Sequence, residues 1–414
     1  MVKLYIIIFA IEISRKICYN AEETRGEIMS KEQNVIEYYV LCNKLKNIPR
    51  TDWQSWNIQR ERVESIAEHV FGVQMLALAM WSEYKKDYPA LDIKKVLSML
   101  SVHELEETVI GDLTSFDINK EEKPVIRHQA IHKILSSLSE GANIEKLILE
   151  FDAGESPEAK FAFQCNKLEC DLQAKIYNKK HCVNLGNQDN NDIAKDQNVI
   201  EYYVLCNKLK NIIRTGWKNW NVKRERVESI AEHVYGVQML ALAMWSEYKQ
   251  SYPNLDIKKV LTMLAVHELE ETVIGDLTLF DIKKEEKAII GHQAVHKILS
   301  SLSEGQNIEN LILEFDSGES PEAKFAFQCD KLECDLQATI YDEEHCVDLN
   351  NQDNNDIAKD PNVKELLDAG MSWSEMWLTF GQTRYPYDKN FLSISNYAMK
   401  NKIKETPPTD DFIQ

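Results

Sequence analysis

An all-α fold built from two tandem, domain-sized copies is what this sequence predicts, and three observations carry the expectation. A segment of 164 residues is repeated head to tail, apolar residues recur at three- and four-residue steps, and no alternating strand-like pattern competes with them. The segment Gln33-Asn34-Val35-Ile36-Glu37-Tyr38-Tyr39 returns as Gln197-Asn198-Val199-Ile200-Glu201-Tyr202-Tyr203, and the register holds without insertion until Asp196 meets Asp360. About 28 of the 164 aligned pairs differ. A unit of that length can bury its own core, unlike a solenoid repeat of roughly 20–50 residues. The expected division is an N-terminal extension over 1–32, copy 1 over 33–196, copy 2 over 197–360, and a tail over 361–414 that is helical and then disordered. That tail, with Trp373, Trp377 and Phe380, follows copy 2 only.

Within copy 2, Val227, Ile230, Ala231, Val234, Val237, Met239, Leu240 and Ala243 mark an amphipathic helix over 226–248. A second is expected over 255–275, stopped by Gly275. Further helical segments are expected over 285–302, 308–315 and 321–341, the last with Pro321 in its first turn. The Asn- and Asp-rich stretches at 187–192 and 351–356 read as loops.

Charge narrows the function. The 414 residues include 48 Lys and Arg against 67 Asp and Glu, a net of −19. So acidic a chain is poorly suited to a nucleic-acid polymer, whose backbone is held by cations that displace counterions. A hydrophobic content of 44% supplies real cores, and no run of 18 apolar residues offers a membrane span. The nine cysteines form no C-x-x-C pair, and most lie in apolar-periodic segments, which suits reduced thiols in a cytoplasmic protein. Near the start, Leu4-Tyr5-Ile6-Ile7-Ile8-Phe9-Ala10-Ile11 imitates a short secretory core, but Glu12, Arg15 and Lys16 end it early, and Met29 offers a later start.

Ligand-type residues recur in both copies: His69 and His233, His103 and His267, Glu104 and Glu268, and Asn166 with its counterpart Asp330. In copy 2 these are two imidazoles and two carboxylates, a mixed set suited to Mn²⁺, Fe²⁺, Co²⁺, Ni²⁺ or Zn²⁺. Spacing alone leaves each His an alternative life as a hydrogen-bonded core residue. The string His267-Glu268-Leu269-Glu270-Glu271 is not the zinc-peptidase motif, because its fifth position is Glu and not His. On a continuous helix Glu271 shares a face with His267 and can move a proton there, while Asp276 follows the expected stop at Gly275.

The order Arg226-x-Glu228-Ser229-x-x-Glu232-His233, then His267-Glu268-x-x-Glu271-x-x-x-Gly275-Asp276, then Asp330-Lys331-Leu332-Glu333 resembles the HD-domain metal-dependent phosphohydrolases, nearest the 5′-deoxynucleotidase group. The resemblance implies a divalent metal on His233, His267, Glu268 and Asp330, with His69, His103, Glu104 and Asn166 as the copy 1 set. It implies acid–base roles for Glu271 and Asp276, matched by Glu107 and Asp112 in copy 1, and a nucleotide-holding segment at Arg214-Thr215-Gly216-Trp217. Arg214 and Arg226 are candidates for the phosphate, Arg226 having the alternative of pairing with a neighbouring Glu. Trp217 can pack on sugar or base, or belong to the core.

Three departures from the family pattern stand out. The dyad is His-Glu where His-Asp is usual, which displaces the oxygen donors by about one methylene. Asn166 replaces the charged ligand of copy 2, and Asp52 replaces Gly216, where it opposes a phosphate and is strained if the backbone needs positive φ. The implied function is removal of the 5′-phosphate from deoxyribonucleoside 5′-monophosphates, mainly through copy 2. The alternatives are a non-catalytic binding or regulatory module on the same scaffold, or a phosphohydrolase for another nucleotide. A small-molecule nucleotide is the expected partner, with the copies packed as an internal pseudo-dimer or the chain as a homodimer.

Overall fold

Helix starts explain much of the architecture. Ser65 and Ser229 each cap a 19-residue helix, accepting from the amides of Glu68 and Glu232, whose carboxylates return to the Ser amides. The structure, a computed structural model, describes residues 29–112, 123–179, 197–278 and 280–403. The apolar run at 4–11, the Asn-rich stretch at 187–192 and the far C-terminal end lie outside the described residues.

In copy 1 the helices are α1 (Lys31–Asn43), α2 (Thr51–Ser55), α3 (Ile66–Tyr84), α4 (Ile93–Val102), α5 (Glu107–Ile110), α6 (Lys123–Leu135), α7 (Gly141–Ala153) and α8 (Pro157–Lys179). Copy 2 repeats them as α9 (Gln197–Cys206), α10 (Thr215–Asn219), α11 (Ile230–Tyr248), α12 (Ile257–Val266), α13 (Glu271–Ile274), α14 (Lys284–Leu299), α15 (Gly305–Ser317) and α16 (Pro321–Glu343). A short α17 (Asp356–Lys359) leads into the tail helices α18 (Pro361–Asp368), α19 (Trp373–Arg384) and α20 (Lys389–Lys400). Among the described residues there is no strand, only isolated bridges at Pro49–Ser65 and Ile213–Ser229. No described helix is long and apolar enough to cross a membrane. The seven described cysteines are free thiols.

The expected helix over 255–275 is two helices. α12 stops at Val266, a turn occupies 267–270, and α13 begins at Glu271. Hydrogen bonds three residues long, Leu269 N to Val266 O (3.1 Å) and Glu271 N to Glu268 O (3.2 Å), tighten the chain there.

The two copies are interlocked. α1 of copy 1 packs on α11 of copy 2, and α9 of copy 2 packs on α3 of copy 1, so each repeat lends its first helix to the other. Val35, Ile36 and Tyr39 accordingly share a core with Tyr235, Met239, Leu264 and Leu332, while Val199 and Tyr203 share one with Leu76, Leu97 and Phe161. The central helices meet directly, α3 on α11 and α4 on α12. Pairs across this interface are reciprocal, the mark of a pseudo-two-fold axis. Gln74 and Gln238 exchange amide hydrogen bonds of 3.1 Å each way. Arg226 reaches Glu68 (2.6 Å) and Glu232 (2.8 Å), and Arg62 holds the same two carboxylates. Ser65 and Ser229 hydroxyls donate across the axis to Glu232 and Glu68.

The tail completes copy 2. α19 and α20 pack on α16, and α20 also touches α1. Trp373 and Met376 bury Trp217, Trp220 and Tyr341. Gly381 is required by this contact, since a Cβ there would lie 2.1 Å from an Asp335 oxygen.

Replacing Arg226 with Met leaves the buried Glu68 and Glu232 carboxylates to share one guanidinium, that of Arg62. Urea denaturation of the full chain is expected to show a loss of about 3–5 kcal/mol, the range for breaking one side of a buried ion pair. Substitution of a solvent-facing lysine such as Lys359 is expected to change stability by less than about 0.5 kcal/mol.

Candidate functional site

Three elements bring the copy 2 candidates together. His233 lies one residue beyond the Glu232 cap at the start of α11, His267 ends α12, Glu268 projects from the turn after it, and Asp330 lies on α16. One donor atom from each of the four lies within 4.8 Å of the others. His233 Nε2 is 3.2 Å from Asp330 Oδ1 and 3.7 Å from Glu268 Oε1, and His267 Nε2 is 3.7 Å from that Glu268 oxygen.

The outer contacts assign which ring nitrogens face inward. His267 Nδ1 is 2.7 Å from the Leu264 carbonyl and must donate to it. His233 Nδ1 is 2.6 Å from Glu333 Oε2 and donates to that carboxylate. Both Nε2 lone pairs are thereby left facing two carboxylates, the arrangement typical of metal-binding histidines held from behind. His267 Nε2 is buried and has no hydrogen-bond partner. Two imidazoles and two carboxylates aimed at one point require a cation, and the set fits a divalent transition metal. A proton on His233 partly does the same task. Burial and the Arg214 charge push its pKa down, but Glu333 and Asp330 outweigh them and hold it at about 9.

Around this cluster, Arg214 lies beside Asp276, Nε to Oδ2 at 3.7 Å, and donates from Nη2 toward Cys334 Sγ at 3.3 Å. Its Nη1 is buried without a partner. Asp276 also accepts from the Thr215 amide, which ties the start of α10 to the site. Gly275 makes that possible with φ +75° and ψ 172°, a conformation essentially reserved for glycine. Glu271 is buried, with Oε1 3.3 Å from Lys287 Nζ and Oε2 unpartnered. Burial, together with the Glu268 and Asp276 charges, pushes its pKa well above the usual carboxylate range.

Two candidates lie elsewhere. Arg226 is at the interface between the copies, its nitrogens taken by Glu68, Glu232 and the carbonyls of Lys46 and Val63, so none remains for a phosphate. Trp217 is a core residue, donating to Glu228 (2.7 Å) and packed edge-on against Tyr341. Gly216 lies in α10 and has no positive φ, and a Cβ there would meet only Trp377 at 3.9 Å. Asp52 is therefore unstrained in its backbone, and what it sets against a phosphate is its negative charge at the copy 1 cavity. Sequence reasoning missed Glu333, Lys287 and Lys46. For Glu333 a signal existed, because it lies one helical turn beyond Asp330.

Copy 1 places its residues alike but couples them differently. His69 Nε2 lies 2.9 Å from the Asn166 side-chain amide, and Glu104 Oε1 lies 3.9 Å from His69 and 3.4 Å from His103. The atom set against His69 Nε2 is the amide oxygen Oδ1, an acceptor like the Asp330 oxygen but without its negative charge, so it offers a cation a weaker ligand. Burial and Arg50 push His69 well below its usual pKa, with no Asp330-like charge to oppose them. Glu107 is again buried and pushed up, by burial and by Glu104 and Asp112, and Asp112 lies 3.6 Å from Arg50. A cavity of about 430 Å³ opens here, lined by Arg50, Asp52, Glu104, Glu107, Lys123 and Asn166 among others. Arg127, which pairs with Glu106 and Asp152, has Gly291 as its counterpart, so Glu270 lacks the arginine that Glu106 has.

The profile of the HD domain family matches residues 42–202 and again 206–367. The 5'-deoxynucleotidase HDDC2 of Dictyostelium discoideum is 34% identical over 152 residues, 36% of this chain and 79% of that protein. The 5'-deoxynucleotidase hdd1 of Schizosaccharomyces pombe is 30% identical over 156 residues, 36% of this chain and 75% of that protein. The human 5'-deoxynucleotidase HDDC2 is 31% identical over 150 residues, 36% of this chain and 70% of that protein.

Two outcomes are expected from the site geometry. Gly275→Ala forces a side chain into a glycine-only conformation and costs about 1–3 kcal/mol in chemical denaturation. Metal-free protein gains stability from protonated His233 that is full below its unfolded pKa of about 6.5 and is lost as pH rises through about 9. Melting curves in chelator should fall over that window, Asp330→Asn should flatten the fall, and added Co²⁺ should reverse it.

Proposed function

The chain belongs to the HD-domain family, and from that membership we propose that it is a metal-dependent phosphomonoesterase releasing phosphate from deoxyribonucleoside 5′-monophosphates, mainly through copy 2. The observation that carries this reading is the convergence of His233, His267, Glu268 and Asp330, with an unpartnered His267 Nε2 among them. The likeness to proteins named 5'-deoxynucleotidase supports the substrate class. A divalent cation held there supplies Lewis-acid polarisation of the phosphoryl group.

The chain's own residues do the rest. Arg214 is part-buried, fixed beside Asp276, and has a buried, unpartnered Nη1 to donate to a phosphate oxygen. Asp276 holds Arg214 and Thr215 in place. Glu271, kept protonated by burial and by its carboxylate neighbours, is the proton donor to the departing 5′-oxygen. Water attacks phosphorus, the P–O5′ bond breaks, O5′ takes the Glu271 proton and leaves as a hydroxyl, and the water protons stay with the released phosphate, from which Glu271 recovers its own. Lys287, 3.3 Å from Glu271, steadies the carboxylate that remains. Copy 1 lacks the ligand charge at Asn166 and presents Asp52 at its cavity, which supports a weak or silent site.

Phosphate release from a panel of 5′-dNMPs and 5′-NMPs tests the proposal, using metal-stripped protein with Mn²⁺ or Co²⁺ restored. Release favouring deoxy substrates, reduced at least 100-fold in Asp330→Asn and by less than threefold in Asn166→Ala, is expected. Release that survives Asp330→Asn moves the activity away from copy 2. No release with any metal from folded protein favours the binding-module alternative.

A further inference from the structure

We propose that copy 1 sets the geometry of the copy 2 metal site: Lys46, assisted by Tyr39, is a positioning residue for His233, acting through Glu333. The inference rests on the reading of His233 as a ligand of the working site.

Lys46 belongs to copy 1 by sequence but has its ammonium inside copy 2. Its Nζ lies 2.5 Å from Glu228 Oε1, 2.6 Å from Glu333 Oε1 and 3.0 Å from Gln337 Oε1. Three donors meet three acceptors, which is how an ammonium tolerates burial at 3% exposure. Tyr39, on α1, donates to the same Glu333 oxygen at 2.8 Å. The other oxygen of Glu333 takes the His233 Nδ1 proton at 2.6 Å. One carboxylate thus has one oxygen anchored by copy 1 and the other fixing the ring that aims Nε2 into the cluster.

The helix is shaped to admit this lysine. Gly236 lies one turn beyond His233, and a Cβ there would lie 2.4 Å from Glu333 Oε1 and 2.6 Å from Lys46 Nζ. Any side chain at 236 would displace the Lys46 ammonium or the Glu333 carboxylate from this contact. Copy 1 carries the reciprocal device: Lys210 of copy 2 binds Glu64, Glu169 (2.7 Å) and Gln173 (3.3 Å), and Glu169 holds His69 Nδ1. A copy that does not turn over substrate therefore still has work in the other copy's site.

The near-symmetry supplies the control. Lys46→Met and Lys210→Met remove equivalent buried ion pairs, so a merely structural role predicts the same effect from both. Full-length protein is titrated with Co²⁺ to one equivalent, and binding is followed by the visible d–d absorption of the bound ion. Lys46→Met is expected to weaken binding by about 10- to 100-fold and to shift the absorption bands, as loss of an outer partner of a metal-bound His does. Lys210→Met is expected to leave both within twofold. Should Lys46→Met fail to fold by circular dichroism, Tyr39→Phe removes one anchor of Glu333 while keeping the ring, and is expected to weaken binding by two- to threefold with a smaller band shift.

Asp330→Asn separates the two levels of failure. Loss of the spectrum in Asp330→Asn with an unchanged one in Lys46→Met and Tyr39→Phe overturns the positioning role and leaves the ligand set standing. Equal changes in Lys46→Met and Lys210→Met also overturn it, because the effect is then general destabilisation. A spectrum untouched by Asp330→Asn overturns the ligand set and the positioning role with it.

Discussion

The burial of one copy's lysine inside the other copy is the constraint on which the rest of this structure depends. A buried ammonium is tolerated only when its donors are all met, and the acceptors here are Glu228, Glu333 and Gln337. Meeting that demand places Glu333 behind His233, requires glycine at 236, and obliges α1 to cross onto α11. The same logic operates around Lys210, and the Arg62–Glu68–Arg226–Glu232 network joins the two arrangements at the axis. Caps, site and interface therefore share residues. Glu232 at once completes the Ser229 cap, accepts from the other copy's Arg62, and precedes a candidate ligand in sequence.

Against this near-symmetry, small chemical differences separate the two sites. Asp330 and Asn166 differ by one atom, yet the carboxylate facing His233 Nε2 brings a negative charge that calls for a cation, while Asn166 sets only a neutral amide oxygen against His69 Nε2. The tail adds a second difference. Tyr385 packs on Phe327, Lys331 lies over both rings, and Lys331 Nζ meets the outer oxygen of Asp330 at 2.7 Å. The rim of copy 2 is thus braced by a segment that follows only that copy.

Much of the fold was legible. The 164-residue register announced two similar units, and the helices at 230–248, 305–317 and 321–343 follow from apolar spacing, a proline in a first turn and flanking glycines. The break at 267–270 was not, because Val266 through Ile274 carries a composition as helical as its neighbours; the turn arises where His267 and Glu268 face the cluster. Arg226 and Trp217 misled for a related reason. Each stands in a motif beside the site, but side-chain direction is set by what packs nearby: the other copy for Arg226, and for Trp217 the copy 2 core of Glu228 and Tyr341 together with the tail's Trp377.

By itself the sequence determined the all-α class, the duplication, and the residues able to form a metal cluster in each copy. These are local properties, fixed by periodicity, by capping chemistry and by the donor atoms each side chain carries. Only the tertiary structure decided which copy each first helix serves, that Lys46 anchors the carboxylate behind His233, and that Arg226 is spent on the interface. Those outcomes depend on which groups must leave water together, and residues 182 positions apart, such as Lys46 and Glu228, declare that pairing only once the chain has folded.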